Sequence, residues 1–180
     1  TKINDEVLDV WTKILKKVKN SRIILKSSLY VCEDVILKKF EKEGLINCVE
    51  ILKKTKSNDF LSHLNVYDKI DLCLDPFPFS GVTTSCEAIL MGLPVLTMKG
   101  FNFNSRCGES INKTIDMEHM IANDEKDYLE KAFLLMEDSD LVNKYGINLR
   151  KKALSSALFD TETFAKDFQN LILKVNKDHI

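Results

Sequence analysis

The sequence has 180 residues, with 26 basic and 27 acidic side chains and a formal net charge of -1 at pH 7. This balance gives the chain no net attraction for nucleic acid or for an anionic membrane surface. Its 44% hydrophobic and 29% charged content is typical of a soluble protein, and its length predicts a single domain over residues 1–180. No apolar run approaches the roughly 20 residues of a membrane span, and the polar start TKINDEVLDV does not predict a signal peptide.

Cysteine and histidine usage indicates a reducing compartment. The cysteines are widely spaced and form no C-x-x-C pair; they are Cys32, Cys48, Cys73, Cys86 and Cys107. The histidines (His63, His119 and His179) show no metal-ligand spacing. We therefore expect a cytoplasmic protein without disulfides, structural zinc or a catalytic metal.

Amphipathic helical patterns alternate with short apolar runs along the first two thirds of the chain. In chain order the patterns predict a helix over 5–18, a strand over 22–26, a helix over 33–43, a strand over 49–52, a short helix near 60–66, a strand over 70–74, a helix that ends at residue 92, and a strand over 93–98. A further segment begins at 101–106, and helices are predicted over 124–136, 139–153 and 161–175. The alternation predicts an α/β fold, a Rossmann-like parallel sheet flanked by helices, with a helical tail over about 124–180.

The carboxyl ends of the strands form the edge where such sheets bind ligands. That rule selects Lys26 and the ranges 75–84 and 100–106 as the ligand-facing edge. The tail has no strand of its own to cover, so we expect it to pack around the sheet or against a partner lobe.

The stretch IDLCLDPFPFSGVTTSCEAILMG (70–92) carries the most specific chemistry. A turn containing Gly81 leads into a helix start rich in hydroxyl groups, where open backbone N–H groups attract phosphate. Glu87 would repel a phosphate placed close to it, so we expect its carboxylate to face a sugar hydroxyl. The alternative is structural: Thr83, Thr84 and Ser85 cap the helix and Glu87 completes a capping box. The local pattern alone favours capping.

Several common site motifs are missing from the sequence. It contains no G-x-G-x-x-G, no G-x-x-x-x-G-K-[ST] and no G-x-S-x-G. An NAD-linked oxidoreductase, a P-loop NTPase and a serine hydrolase are therefore disfavoured.

Four segments in order resemble one family, the O-GlcNAc transferases and SPINDLY-like glycosyltransferases, especially their bacterial members. They are TKINDEVLDVWTKILKKVKNSRIILKSS, HLNVYDKIDLCLDPFPFSGVTTSCEAILMGLPVLTMKG, the pair Ser105–Arg106, and ALFDTETFAKDFQ. The resemblance implies the two-lobed GT-B architecture, of which this chain looks like the C-terminal, nucleotide-sugar-binding lobe. It also implies an N-terminal acceptor lobe and tetratricopeptide repeats elsewhere in the same polypeptide.

The resemblance assigns roles to individual positions. Lys2 matches a lysine that contacts the donor diphosphate and offsets charge on the leaving group, and this is the one residue it implies as catalytic. His63 matches a histidine that packs on the nucleobase. Gly81, Thr83 and Thr84 match the turn that holds the donor phosphates. Glu87 matches an acidic residue that contacts the ribose.

Other positions are weaker matches or departures. Phe60 and Val82 stand where O-GlcNAc transferases have a lysine and a histidine, so the donor need not be UDP-GlcNAc; GDP-fucose or another sugar nucleotide stays open. Lys26, Ser105 and Arg106 are further donor-site candidates, although Arg106 fits a structural ion pair equally well.

The implied function is an inverting protein O-glycosyltransferase that moves a sugar from a nucleoside diphosphate to protein Ser or Thr, with no cofactor and no metal. This lobe by itself is expected to lack transfer activity. The alternative is a non-catalytic Rossmann-like module that binds a partner protein through its helical tail.

Overall fold

The structure, a computed structural model, describes residues 2–26, 33–52 and 60–177. Its α-helices are Asp5–Lys17 (α1), Glu33–Lys42 (α2), Phe60–Leu64 (α3), Thr83–Leu90 (α4), Phe103–Thr114 (α5), Glu125–Glu137 (α6), Ser139–Gly146 (α7), Leu149–Leu154 (α8) and Thr161–Lys177 (α9). Its strands are Ile23–Lys26 (β1), Val49–Leu52 (β2), Cys73–Leu74 (β3), Val95–Met98 (β4) and Ile121–Ala122 (β5). Short 3₁₀ turns occupy Ile46–Cys48, Tyr67–Lys69 and Glu118–Met120.

All strand pairs are parallel, as the alternation of strands and helices predicts. β1 pairs with β2, so that Ile23 lies opposite Val49. β4 lies between β3 and β5 in a three-stranded sheet. Within the described ranges the hydrogen-bonded strands thus form two parallel sheets rather than the one predicted, and helices flank both. The predicted α/β class is confirmed.

The core forms where α1 packs on α6 and where α5 and α6 contact β4. The side chain of Asn4 caps α1 by accepting the N–H of Val7 at 2.9 Å. The apolar stripe of α1 is buried, and α6 contributes the fully buried Tyr128 and Ala132. The ring of Tyr128 makes an edge contact with Phe77 at 5.4 Å between centroids.

The strand predicted over 70–74 is shorter in the structure and spans only Cys73–Leu74. Two other differences from the prediction follow from backbone chemistry. The strand expected over 93–98 begins at Val95, because Pro94 has no N–H to donate to the ladder. The helix expected over 139–153 divides into α7 and α8, because Asn148 takes a left-handed conformation with φ of 64°. Gly92 ends its helix as predicted, with φ of 84°, a value that favours glycine.

The helical tail ends in α9, whose residues 161–175 are all exposed. Its exposed apolar side chains include Phe164, Phe168, Leu171 and Ile172, so an apolar stripe faces outward. None of the helices in the described ranges has the length and apolar character needed to cross a bilayer.

Candidate functional site

At the predicted ligand-facing edge, the segments that follow two different strands contact each other. Lys26 ends β1 and Asp75 directly follows β3. The loop after β3 is joined to the segment after β4 because Ser80 donates both its N–H and its hydroxyl to the carbonyl of Asn104, at 3.2 and 2.9 Å. The carboxyl ends of separate strands therefore present their loops side by side, as parallel sheets require.

Three of the predicted donor-site residues form one hydrogen-bonded chain at this edge. The Lys26 Nζ lies 2.8 Å from the His63 Nδ1 and 3.2 Å from the His63 carbonyl oxygen. The opposite ring nitrogen of His63 lies 2.9 Å from a carboxylate oxygen of Glu87. That oxygen also accepts the hydroxyl of Tyr67 at 2.9 Å. Residues from β1, α3, a 3₁₀ turn and α4 are thus tied together.

This chain of contacts fixes the tautomer of His63. A lysine ammonium can only donate, so Nδ1 must accept from Lys26. The proton of the neutral ring then sits on Nε2, which donates to Glu87. The two neighbours therefore set both the orientation of the imidazole and the identity of its N–H group.

Burial and charge shift the pKa values of Lys26 and Tyr67, which flank His63 and Glu87 in these contacts. Burial lowers the pKa of Lys26, and the nearby Glu87 carboxylate acts in the opposite direction. Burial, and then the hydrogen bond to Glu87, raises the pKa of Tyr67 well above its usual range. Tyr67 therefore stays protonated at neutral pH and keeps donating to Glu87.

The helix start at α4 is open. Val82 is its N-cap and makes no side-chain capping bond, and Thr83 and Thr84 are exposed. The capping alternative is therefore wrong: Glu87, which would close a capping box, bonds His63 and Tyr67 instead. The backbone N–H groups of the first turn have no intrahelical acceptor, so they and two hydroxyls stay available to an anion.

Gly81 fits this turn because a side chain would collide with its neighbours. A Cβ built on Gly81 would lie 2.3 Å from the Ser85 hydroxyl and 3.0 Å from a carboxylate oxygen of Asp75. Its backbone N–H donates to the same carboxylate at 2.6 Å. Glycine is needed here for close approach, since its φ is not in the left-handed region.

Lys2 lies against the same turn. Its Nζ donates to the Ser80 carbonyl at 3.0 Å and sits 4.7 Å from the centre of the Phe79 ring. The ring adds a cation–π attraction to the hydrogen bond. The ammonium is thereby placed beside the loop that leads into the open helix start.

Ser105 and Arg106 have local partners. Ser105 is buried in a capping box with Asn102 at the start of α5. The Arg106 guanidinium donates twice to the Glu109 carboxylate, at 2.7 and 3.1 Å, and Lys113 donates to the same carboxylate. Arg106, and then Lys113, lowers the pKa of Glu109 to about 2. The structural ion pair considered for Arg106 is therefore present.

A cavity of about 1050 Å³ opens between β1 and β3. Its polar lining includes four predicted site residues, namely Lys2, Lys26, His63 and Thr84. Gly81, Val82, Thr83, Glu87 and Arg106 are not among the residues that line it. Its volume is that of a pocket for a large organic ligand. No group of three or more His, Cys, Asp or Glu side chains among the described residues is arranged to hold a metal ion.

Sequence reasoning missed two site residues, Tyr67 and Thr97. Tyr67 follows His63 by four positions, the spacing that brings side chains to one helical face. The sequence therefore contained a signal that could have identified Tyr67. Thr97 donates its hydroxyl to Asp75 at 2.8 Å. In the sequence it is an ordinary strand residue, and no local pattern marks it.

Comparison with known proteins identifies the family. The model of glycosyl transferase family 41 matches residues 1–168. A probable UDP-N-acetylglucosamine–peptide N-acetylglucosaminyltransferase SPINDLY from Eustoma exaltatum subsp. russellianum is 35% identical over 93% of this chain. The protein of the same name from Arabidopsis thaliana is 32% identical over 91% of the chain. The chain spans 18% of the length of each of these relatives.

Comparison with solved structures agrees with this family assignment. A mutant O-GlcNAc transferase of Thermobaculum terrenum superposes with a TM-score of 0.87 and 27% identity over 98% of this chain and 34% of its own. A mutant of S. aureus TarM, at 18% identity over 95% of this chain and 33% of its own, has a TM-score of 0.70 and shares the fold. The predicted GT-B resemblance is confirmed. The chain belongs to glycosyl transferase family 41.

Proposed function

We propose that the chain is the donor-binding lobe of an inverting protein O-glycosyltransferase. The intact enzyme would transfer GlcNAc or another sugar from a nucleoside diphosphate to protein Ser or Thr. The observation that carries the proposal is the convergence of an open, hydroxyl-rich helix start, a lysine and a histidine–carboxylate pair at one edge of the sheet. The names of the family relatives, which specify UDP-N-acetylglucosamine and a peptide, agree with it.

The α4 start would hold the donor diphosphate. Thr83 and Thr84 are exposed there, and the N-cap supplies no competing side-chain bond. Their hydroxyls and the first-turn N–H groups are donors suited to phosphate oxygens, and the helix dipole favours a negative charge at this end. Gly81 and Val82 would let the backbone approach the phosphates closely.

His63 and Glu87 would bind the nucleoside. The resemblance assigns the base to His63, whose ring is already fixed by contacts on both nitrogens. Glu87 would accept a ribose hydroxyl with the carboxylate oxygen that is left over from its bonds to His63 and Tyr67. Lys26 orients His63 and adds a positive charge to the same cavity.

Lys2 would act on the leaving group. In an inverting transfer the acceptor hydroxyl oxygen bonds to the anomeric carbon from the face opposite the phosphate. The bond between that carbon and the phosphate oxygen breaks, and its electron pair stays on the diphosphate. An ammonium beside the phosphate turn stabilises that developing charge. The proton of the acceptor hydroxyl would go to a general base outside this chain.

The acceptor would bind elsewhere in the polypeptide. The chain spans only 18% of the SPINDLY relatives and 34% of the superposed transferase. We therefore assign acceptor binding to an N-terminal lobe and to tetratricopeptide repeats of the same polypeptide.

The direct test is calorimetry on the longest natural polypeptide that carries this chain, titrated with UDP, GDP, UDP-GlcNAc and GDP-fucose. We expect binding of one nucleotide series. Replacing both Thr83 and Thr84 by alanine should weaken that binding at least about tenfold. The same change should leave the melting temperature nearly constant, because neither side chain caps the helix.

A matched control is available in the first turn of α9. Thr161 and Thr163 are exposed, like Thr83 and Thr84, but lie outside the candidate site. Their double alanine variant should bind the nucleotide as the unmodified protein does. Absence of binding by all four ligands in a folded protein would overturn the proposal.

A protein-interaction module is the second candidate, and the outward apolar stripe of α9 favours it. The two candidates differ in their response to the same variant. A module that works through its tail would keep its partner affinity when Thr83 and Thr84 are replaced.

A further inference from the structure

The carboxylate of Asp75 lies directly behind the phosphate-facing turn and is almost sealed from solvent, with a relative exposure of 5%. One carboxylate oxygen accepts the N–H of Gly81 at 2.6 Å. The other accepts the hydroxyl of Thr97 at 2.8 Å, and Thr97 belongs to the central strand β4. One side chain therefore links the turn before α4 to the middle of the three-stranded sheet.

Two glycines pack closely against the two oxygens of this carboxylate. A Cβ on Gly81 would lie 3.0 Å from one Asp75 oxygen, and a Cβ on Gly108 would lie 2.7 Å from the other. The main-chain carbonyl of Asp75 accepts the hydroxyl of the buried Tyr128 at 3.1 Å. The end of β3, the turn before α4 and the helices α5 and α6 thus meet at Asp75.

From this geometry we infer that Asp75 is a positioning residue of the candidate donor site, holding the turn of residues 76–82 and the ammonium of Lys2 in the donor-binding arrangement only while its carboxylate is ionised. The inference deepens the proposed function and rests on it. Asp75 acts through Gly81 and Lys2 and is not assigned a contact with the donor itself.

Ionisation matters because a carboxylate makes stronger hydrogen bonds than a neutral acid. The bonds from Gly81 and Thr97 are charge-assisted when Asp75 is negative. The negative charge also attracts Lys2, which donates to the Ser80 carbonyl in the same turn. Protonation would weaken both bonds and remove that attraction.

Asp75 titrates in a pH range in which donor binding can be measured. Burial raises the pKa of Asp75 to about 6, against the opposing effects of the Gly81 and Thr97 hydrogen bonds and of Lys2. The other titratable groups that face it are Cys73 and Tyr128. Burial raises the pKa of both, for Cys73 to about 12 and for Tyr128 well above its usual range, so both stay neutral near pH 6. Among the described residues, Lys2 is therefore the charge that Asp75 faces.

The test is the pH dependence of donor affinity, measured between about pH 5 and pH 8 on the longest natural polypeptide that carries this chain. The nucleotide sugar found by calorimetry is the probe, because both of its phosphates are esterified and neither titrates near pH 6, unlike a terminal phosphate. We expect affinity to fall about tenfold as the pH drops through 6. Asp75→Asn should bind about tenfold more weakly at about pH 7.5 and show no such fall.

The asparagine variant keeps the geometry and removes only the charge. Its amide oxygen can accept from Gly81, and its amide nitrogen can donate to the Thr97 hydroxyl, which also accepts. A merely structural role predicts lower thermal stability and an unchanged pH profile. If donor affinity still fell at acidic pH (the acid limb of the pH profile) in Asp75→Asn, the inference would be overturned. So would binding at about pH 7.5 as tight as that of the unmodified protein.

A second pair of variants covers the case in which Asp75→Asn does not fold. Thr97→Val removes one bond that lowers the Asp75 pKa, so the midpoint of the acid limb should move to higher pH. Thr97→Ser keeps the hydroxyl and should leave the midpoint in place. An unmoved midpoint in Thr97→Val would overturn the inference. If the unmodified protein bound no nucleotide at all, the proposed function would be wrong. That outcome is distinct from an unmoved midpoint, which contradicts only the role of Asp75.

Discussion

The Nζ of Lys26 lies 2.8 Å from the Nδ1 of His63, although the two residues are 37 positions apart. Lys26 ends the first strand, and His63 belongs to the short helix α3, which comes after both α2 and β2. Because Glu87 holds the other ring nitrogen, the imidazole is clamped between two opposite charges. The ring that the family resemblance assigns to the nucleobase is thus oriented before any ligand binds.

Lys26→Met should release this ring. The unmodified protein is expected to show the tautomer of His63 with the proton on Nε2, detected in long-range nitrogen–proton spectra of the imidazole. Without the ammonium at Nδ1, the preference for that tautomer should weaken, and nucleotide affinity should fall about tenfold. Lys16→Met is the control, since Lys16 pairs with Glu43 on the surface. An unchanged tautomer in Lys26→Met would contradict this account.

Arg106→Gln should cost stability more than donor affinity. The guanidinium is engaged by Glu109, whose side chain is buried while those of Arg106 and Lys113 are more than half exposed. Because solvent screens these exposed partners, we expect a small loss of stability in urea unfolding at neutral pH and a change in affinity below about twofold.

Glu109→Gln is the companion variant for Arg106. The lowered pKa of Glu109 means that its stabilising effect is present above its unfolded pKa and is lost as the pH falls towards about 2. The variant should therefore differ from the unmodified protein at neutral pH and converge with it in acid. A tenfold loss of nucleotide affinity in Arg106→Gln alone would place Arg106 in the donor site.

The elements of this fold were predictable where local patterns decide them, and the site was predictable only in part. Val49–Leu52 and the stripe of α1 follow from periodicity. The two-residue β5 is too short for any period, so it was missed. The edge of the sheet was identified from topology, but the contact of Lys26 with His63 was not, because no local signal joins residues so far apart. The inward burial of Asp75 likewise depends on Thr97 and Gly108, which only tertiary packing brings near it.

Gly81→Ala should distort the turn before α4. The new methyl group would lie 2.3 Å from the Ser85 hydroxyl, a distance that forces a shift. We expect a loss of about 1–3 kcal/mol in the free energy of unfolding, the usual cost of overpacking. Nucleotide affinity should fall with it, because the first-turn N–H groups move.

The double variant Gly81→Ala and Ser85→Ala separates crowding from other causes. Removing the Ser85 hydroxyl takes away the nearest clashing atom, so part of the stability and affinity should return. Thermal unfolding and calorimetry on the single and double variants measure both. A double variant no better than Gly81→Ala would show that the Ser85 clash is not the reason for the glycine.

Asp75→Asn should stabilise the fold at neutral pH while weakening the site. Burial raises the folded pKa of Asp75 to about 6, above its ordinary value of 3.8, so the folded state holds the proton more tightly than the unfolded chain. The stabilising effect of the neutral acid is therefore complete below the ordinary pKa and is lost as the pH rises through about 6. At pH 7 the ionised carboxylate costs on the order of 2–3 kcal/mol. Asparagine avoids that cost, so urea unfolding should show the variant more stable at about pH 7 and nearly equal at about pH 4. Equal stability at both values, or a less stable variant at neutral pH, would mean that Asp75 is not held ionised against its environment.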